Sequence, residues 1–151
     1  QWNGTSWTEV NDLNTARNYF PGAGTVTAGL AIGGNTPGVT GATETYNGTS
    51  WTEVNVLNTA RYGNTGFGTQ SAALTAAGDT NPLPTQIATT ETWNGTSWTE
   101  VADLASVRAT SGGGGTNTAG LIAAGMDTSP AIAISEEWSV SDYTIKTVTV
   151  S

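Results

Sequence analysis

Apolar and polar positions alternate in short runs along this chain. No run of ten residues or more carries the three-to-four-residue rhythm of an amphipathic helix. Thr, Val, Trp and Tyr fill the runs, and Gly, Asn, Asp and Pro separate them. The pattern predicts short β-strands joined by turns, because β-branched and aromatic side chains pack well on a pleated surface, whereas Gly, Asn and Pro supply turn backbone. Between 62 and 101 it predicts four strands: a at 62–69, b at 72–77, c at 87–93 and d at 97–101. Strands c and d meet at Asn94-Gly95. This predicts a hairpin closed by a type I′ turn, whose two central residues both need positive φ.

The pattern recurs. The segment WNGTSWTEV at 2–10 returns as YNGTSWTEV at 46–54 and as WNGTSWTEV at 93–101. A degraded copy begins at Trp138, with Tyr143 where the second Trp belongs. The leading aromatics Trp2, Tyr46, Trp93 and Trp138 are 44, 47 and 45 residues apart. Each second tryptophan (Trp7, Trp51, Trp98) is followed ten residues later by Arg17, Arg61 or Arg108. Seventeen residues further on stand Gly34, Gly78 and Gly125, and Glu44, Glu91 and Glu136 each lie two before an aromatic. Four antiparallel strands in a period of about 40–50 residues are the mark of a propeller blade.

These residues resemble the kelch repeat. Ala31-Ile32-Gly33-Gly34, Glu44-Thr45-Tyr46, Trp51 and Arg61 match its order of an apolar run ending in Gly-Gly, Glu-x-Tyr, a Trp and an Arg. The likeness covers essentially the whole chain. It departs where Ala77-Gly78 and Ala124-Gly125 replace the glycine pair, and in a shorter c–d hairpin. The resemblance implies an all-β fold of four-stranded kelch-like β-propeller blades in a single repeat domain, 1–151, with about three and a fraction blades in this chain. Residues 1–16 would carry the trailing strand d of a preceding blade, 17–54 the first blade, 61–101 the second and 108–151 the third, with a divergent last strand. The NGTSW wording is also similar to kelch-like repeats of phage virion and tail-fibre proteins, which implies a virion-associated or extracellular setting. Propellers usually close with 4–8 blades. The expectation is therefore that this chain does not close alone: a second copy or the remainder of a longer chain completes the ring. In a dimer each leading strand d would complete the partner's last blade.

Composition narrows the partners. The net charge is −8 and the only bases are Arg17, Arg61, Arg108 and Lys146. Such a chain is poorly suited to nucleic acid or anionic membranes, both of which are bound through positive charge. It suits glycan or protein ligands. There is no Cys and no His, which removes the commonest metal ligand and general base. No metal and no cofactor are expected. No apolar run approaches the ~18 residues of a membrane-spanning helix, and no signal-peptide pattern is present. The chain begins at Gln1, which reads as a processed product or part of something longer.

Each recurrent residue has a functional and a structural reading. The aromatic pairs could stack on sugars, but recurrence in every repeat favours packing between neighbouring units. Arg17, Arg61 and Arg108 could clamp a carboxylate, as an arginine triad does in sialidases. The structural reading pairs them with Glu44, Glu91 and Glu136, since a buried guanidinium needs a partner. Asn3, Asn47 and Asn94 begin glycosylation sequons, although Asn-Gly already reads as the turn. The same segment is similar to the Asp-box of sialidases, itself a structural motif, with Asn for Asp and a shorter spacing. Asn35, Asp79 and Asp127 could contribute to a Ca²⁺ site, yet each turn offers at most one carboxylate where about 6–8 oxygens are needed. Gly112–Gly115 lacks the lysine and helix of a phosphate loop and reads as strand a of the third unit.

All variation in length falls between Gly and Glu, in the b–c connection: ten residues from Gly34, thirteen from Gly78 and eleven from Gly125. Repeat proteins vary their binding surfaces by insertions confined to one face. The expected binding residues are Thr36, Pro37, Val39, Asn81, Leu83, Gln86, Asp127, Ser129 and Pro130. The expected function is non-catalytic: a recognition or structural module that binds a glycan or protein. The alternative is a sialidase- or glycosidase-like propeller enzyme, which would need two carboxylates about 5–10 Å apart.

Overall fold

The computed structural model describes residues 1–80, 85–127 and 131–140, and every regular element among them is a strand. The first sheet is an antiparallel meander of β1 (Gly22–Thr25), β2 (Ala28–Asn35), β3 (Val39–Tyr46) and β4 (Trp51–Val54). The second contains β5 (Thr65–Thr69) and β6 (Ala72–Ala76). Its connection carries a small ladder, β7 (Asp79–Thr80) with β8 (Thr85–Gln86), before β9 (Thr90–Trp93) and β10 (Trp98–Val101). The third has β11 (Gly112–Gly115), β12 (Ala119–Ala123) and β13 (Ser135–Ser139). Its expected fourth strand, with Tyr143, lies outside the described residues, as do Asn81, Leu83, Ser129 and Pro130.

Several expected boundaries move, each for a local reason. Strand a of the second sheet starts at Thr65 rather than 62, because Gly63 turns the backbone with φ 62° and Tyr62 pairs instead with Asp79. Strand b stops at Ala76, since Ala77 is left-handed with φ 64°. Strand c starts at Thr90, and Ile87 bridges to Arg108 at the entry of the third sheet. The hairpin between c and d is not a two-residue type I′ turn. Four residues, 47–50, separate the last pair Tyr46–Trp51, and of them only Gly48 has positive φ. Asn47 acts through its side chain: Oδ1 accepts the Thr49 and Ser50 amides at 2.9 and 2.8 Å. Asn3 and Asn94 do the same in their own turns.

The sheets stack face to face. Leu30 and Ile32 of the first sheet lie against Ala73, Trp93 and Trp98 of the second, with Leu57 of the connecting link in the same cluster. On the other face of the second sheet, Phe67, Leu74 and Ala76 meet Ile122, Leu104 and Trp138. Trp93 and Trp98 pack at 5.2 Å between ring centroids, and both are buried. An indole hides on the order of 200 Å², so at about 25 cal/mol per Å² each contributes roughly 5 kcal/mol of transfer free energy. Their N–H groups remain bonded, Trp93 to the Gln70 carbonyl and Trp98 across the seam to Thr43 Oγ1. The first strands β1, β5 and β11 lie side by side along one end of the stack. There a Cβ on Gly113 would stand 2.6 Å from Thr65 Cγ2. That crowding leaves no room for a side chain at Gly113 of the third sheet's GGGG strand.

The strand expected at 7–10 does not form. Its sequence, WTEV, is identical to β4 and β10, yet here only a Trp2–Trp7 bridge is made and Trp7 is 79% exposed. β4 and β10 each pair along their length with a neighbouring strand, and 7–10 has no such support among the described residues.

Candidate binding site on the loop face

The recurrent arginines and the glutamates that stand two before each aromatic are held inside the protein. Arg17 Nη2 lies 2.9 Å from Glu44 Oε1 and Arg61 Nη2 lies 2.5 Å from Glu91 Oε1; Arg108 bonds Glu136 in the same way. Each Nη1 donates to the carbonyl two residues before its Glu: Ala42, Thr89 and Ile134. Burial pulls Arg17 and Arg61 below the usual arginine value, and the facing carboxylates of Glu44 and Glu91 oppose that shift. With Nη1 and Nη2 engaged in every copy and the side chain fully buried, none of the three presents its guanidinium to a ligand.

A further member of each cluster was not singled out from the sequence. Asn14 and Asn58 donate backbone and side-chain N–H to the second carboxylate oxygen of Glu44 and Glu91, and their side chains also reach the Trp51 and Trp98 carbonyls. The signal was present as the repeated LNTAR at 13–17 and 57–61. In the third copy Ala105 stands there and only its backbone reaches Glu136.

Strand b ends in a two-residue left-handed bulge that aims the b–c connection. Gly33, Ala77 and Ala124 have φ of 64°, 64° and 59°, followed by Gly34, Gly78 and Gly125 at 118°, 111° and 108°. A Cβ on Gly78 would stand 2.9 Å from the Tyr62 carbonyl. The second glycine is therefore required by backbone contact, whereas Ala is accommodated at the first position. Beyond the bulge, Asn35, Asp79 and Met126 pair with Asn18, Tyr62 and Ala109. The described ends of the variable connections also pair with each other, Asn35 with Val39, Asp79 with Gln86 and Met126 with Ala131, and so extend strands b and c.

The structure places the expected binding residues that it describes on these extensions. Thr36 closes the first turn onto the Gly38 carbonyl, Pro37 is exposed, and Val39 starts β3 opposite Asn35. Gln86 pairs with Asp79, and Asp127 follows Met126. Between the extensions and the stacked first strands lies a feature that the repeat does not contain. Tyr19 and Tyr62 pack at 6.2 Å between centroids, tilted by 58°. Tyr19 is 65% exposed. Burial, with smaller contributions from Asp79 and Tyr19, pushes the Tyr62 hydroxyl up, and burial raises the Asp79 carboxyl. Tyr19 and Gly63, the chain neighbour of Tyr62, line an open groove of about 460 Å³ that runs between the first strands, past Asn64, Thr65 and Ser111. Among the described residues no group of three or more acids could hold a metal ion.

Comparison with known proteins gives a likeness of shape. No family model matches the chain, and no curated protein matches it significantly. Solved structures do match: that of YjhT superposes with a TM-score of 0.74 at 16% identity, over 86% of this chain and 45% of that one. The likeness supports the all-β arrangement of four-stranded antiparallel sheets. This chain spans less than half the length of that neighbour.

Proposed function

We propose that the chain is a segment of a kelch-like β-propeller acting as a non-catalytic recognition module, and that it binds a glycan at the loop face through Tyr19, Tyr62 and Asp79. The stacked four-stranded meanders, the side-by-side first strands and the overlap with YjhT support the blade reading. One observation carries the binding site. The recurrent Arg–Glu clusters and the Trp93–Trp98 pair are buried in the fold, and the Tyr19–Tyr62 pair, which departs from the repeat, places Tyr19 on the lining of a groove. Tyrosine faces accept the C–H side of a sugar ring, and an acid beside them accepts hydroxyl hydrogens. Tyrosine has few side-chain torsions to fix, so exposed Tyr19 and half-buried Tyr62 lose little side-chain entropy on binding.

A glycan array probed with multivalent chain tests this. Binding is expected, with Tyr19→Ala and Tyr62→Ala each weakening it about tenfold and the bound glycan recovered uncleaved. Absence of any hit at high valency, or hits indifferent to both substitutions, rejects the site. Hydrolysis of the bound glycan rejects the non-catalytic reading.

A further inference from the structure

The two seams between sheets are built from the same parts. Gly34 N–H donates to the Arg61 carbonyl of the next sheet's entry, and Gly78 N–H to that of Arg108. In the opposite sense, Gly63 N–H donates to the Tyr19 carbonyl and Thr110 N–H to that of Gly63, both at 2.7 Å. Leu30 and Leu74, at equal distances after Arg17 and Arg61, are each 1% exposed beneath the facing sheet. Each part therefore has a donor half and an acceptor half that belong to successive sheets.

At the two ends of the stack these halves are left over. Leu121, the third equivalent leucine, is 49% exposed. Ser135 is exposed where Thr43 receives the Trp98 indole. Gly125 N–H and the Thr110 carbonyl have no hydrogen-bond partner among the described residues. At the other end, the Arg17 carbonyl and Tyr19 N–H likewise lack one. There Val10, Leu13, Phe20 and Trp51 line an open groove of about 660 Å³. Val10, Leu13 and Trp51 correspond to Val54, Leu57 and Trp98, which fill the seam between the first two sheets. Finally, the WTEV at 7–10 is a fourth-strand sequence without a sheet, and among the described residues the third sheet is a three-stranded sheet without a fourth strand.

We infer that the outer face of the third sheet docks onto the groove at the first sheet of a second copy of this chain. Gly125 N–H then meets the second copy's Arg17 carbonyl, and Tyr19 N–H of that copy meets the Thr110 carbonyl. The second copy's Trp51 covers Leu121, and its 7–10 segment pairs along β13. The contact is head-to-tail, and two such contacts close a ring of two copies with six sheets. The inference rests on the sheet-stacking seams and is independent of what the loop face binds.

Sedimentation equilibrium of the 151-residue chain tests it. A mass of twice 15.4 kDa is expected at micromolar concentration. Leu121→Asp should weaken the association at least tenfold without lowering the cooperativity of unfolding. Val26→Asp, at an equally exposed position in the β1–β2 turn, should leave it unchanged. A monomer at ~100 μM overturns the inference and leaves further repeats of a longer chain as the occupant. A dimer that survives Leu121→Asp, or one lost with Val26→Asp, overturns the assigned face. A glycan array that fails while the dimer forms rejects only the ligand reading.

Discussion

Arg61 and Glu91 face each other at 2.5 Å with neither side chain exposed, and the carboxylate's other oxygen is held by Asn58. Removing one partner strands a charge inside the protein. Glu91→Ala is expected to lower the unfolding free energy by about 3–5 kcal/mol, whereas the double change Arg61→Met with Glu91→Leu should cost much less. Urea denaturation of the three chains checks the order. Equal losses in the single and double variants would mean that packing, rather than charge, sets the cost.

The third cluster is less well enclosed. Glu136 keeps 18% side-chain exposure against 2% and 0% for Glu44 and Glu91, and Ala105 stands where Asn14 and Asn58 bond the other two. Ala105→Asn should add a side-chain hydrogen bond to Glu136 and raise stability by about 1 kcal/mol. A shift of the denaturation midpoint at unchanged slope would register it.

Ala77 and Gly78 sit in the same bulge with opposite tolerances. Ala77→Gly relieves a left-handed alanine and adds freedom to the unfolded chain, so a gain of no more than about 1 kcal/mol is expected. Gly78→Ala drives a methyl group into the Tyr62 carbonyl and should cost more than about 2 kcal/mol. Thermal melts of the pair should move apart.

Burial raises the Asp79 carboxyl. The folded chain then retains a proton that the unfolded chain has released. Stability contributed by this group is present below its ordinary value and is lost as pH rises through the raised one. Asp79→Asn should therefore melt higher than the wild type at neutral pH, and the gap should close in acid. Melting curves from about pH 3 to pH 7 decide it; a gap that widens in acid reverses the sign.

Much of the fold was legible because the chain states it three times. Glu44, Glu91 and Glu136 recur as often as the arginines they bond, and the aromatic pairs mark the c–d hairpins. Asn58 escaped notice because its neighbour Arg61 already accounted for the recurrence, and its role appears only once the Glu91 carboxylate is placed. The Tyr19–Tyr62 pair was not legible. Tyr19 is the counterpart of Gly63, and Tyr62 that of Asn18, so the two rings occupy different phases of the repeat and meet only when adjacent sheets stack. The β7–β8 ladder was hidden by Pro82 and Pro84 between its strands, which read as loop.

The Arg61 residue that bonds its own sheet's Glu91 also lends its backbone carbonyl to Gly34 of the sheet before. A cut between sheets therefore severs the anchor of the one and the ending of the other. Melting will not proceed sheet by sheet: the end of one strand b and the start of the following unit should exchange their amide hydrogens at a common rate.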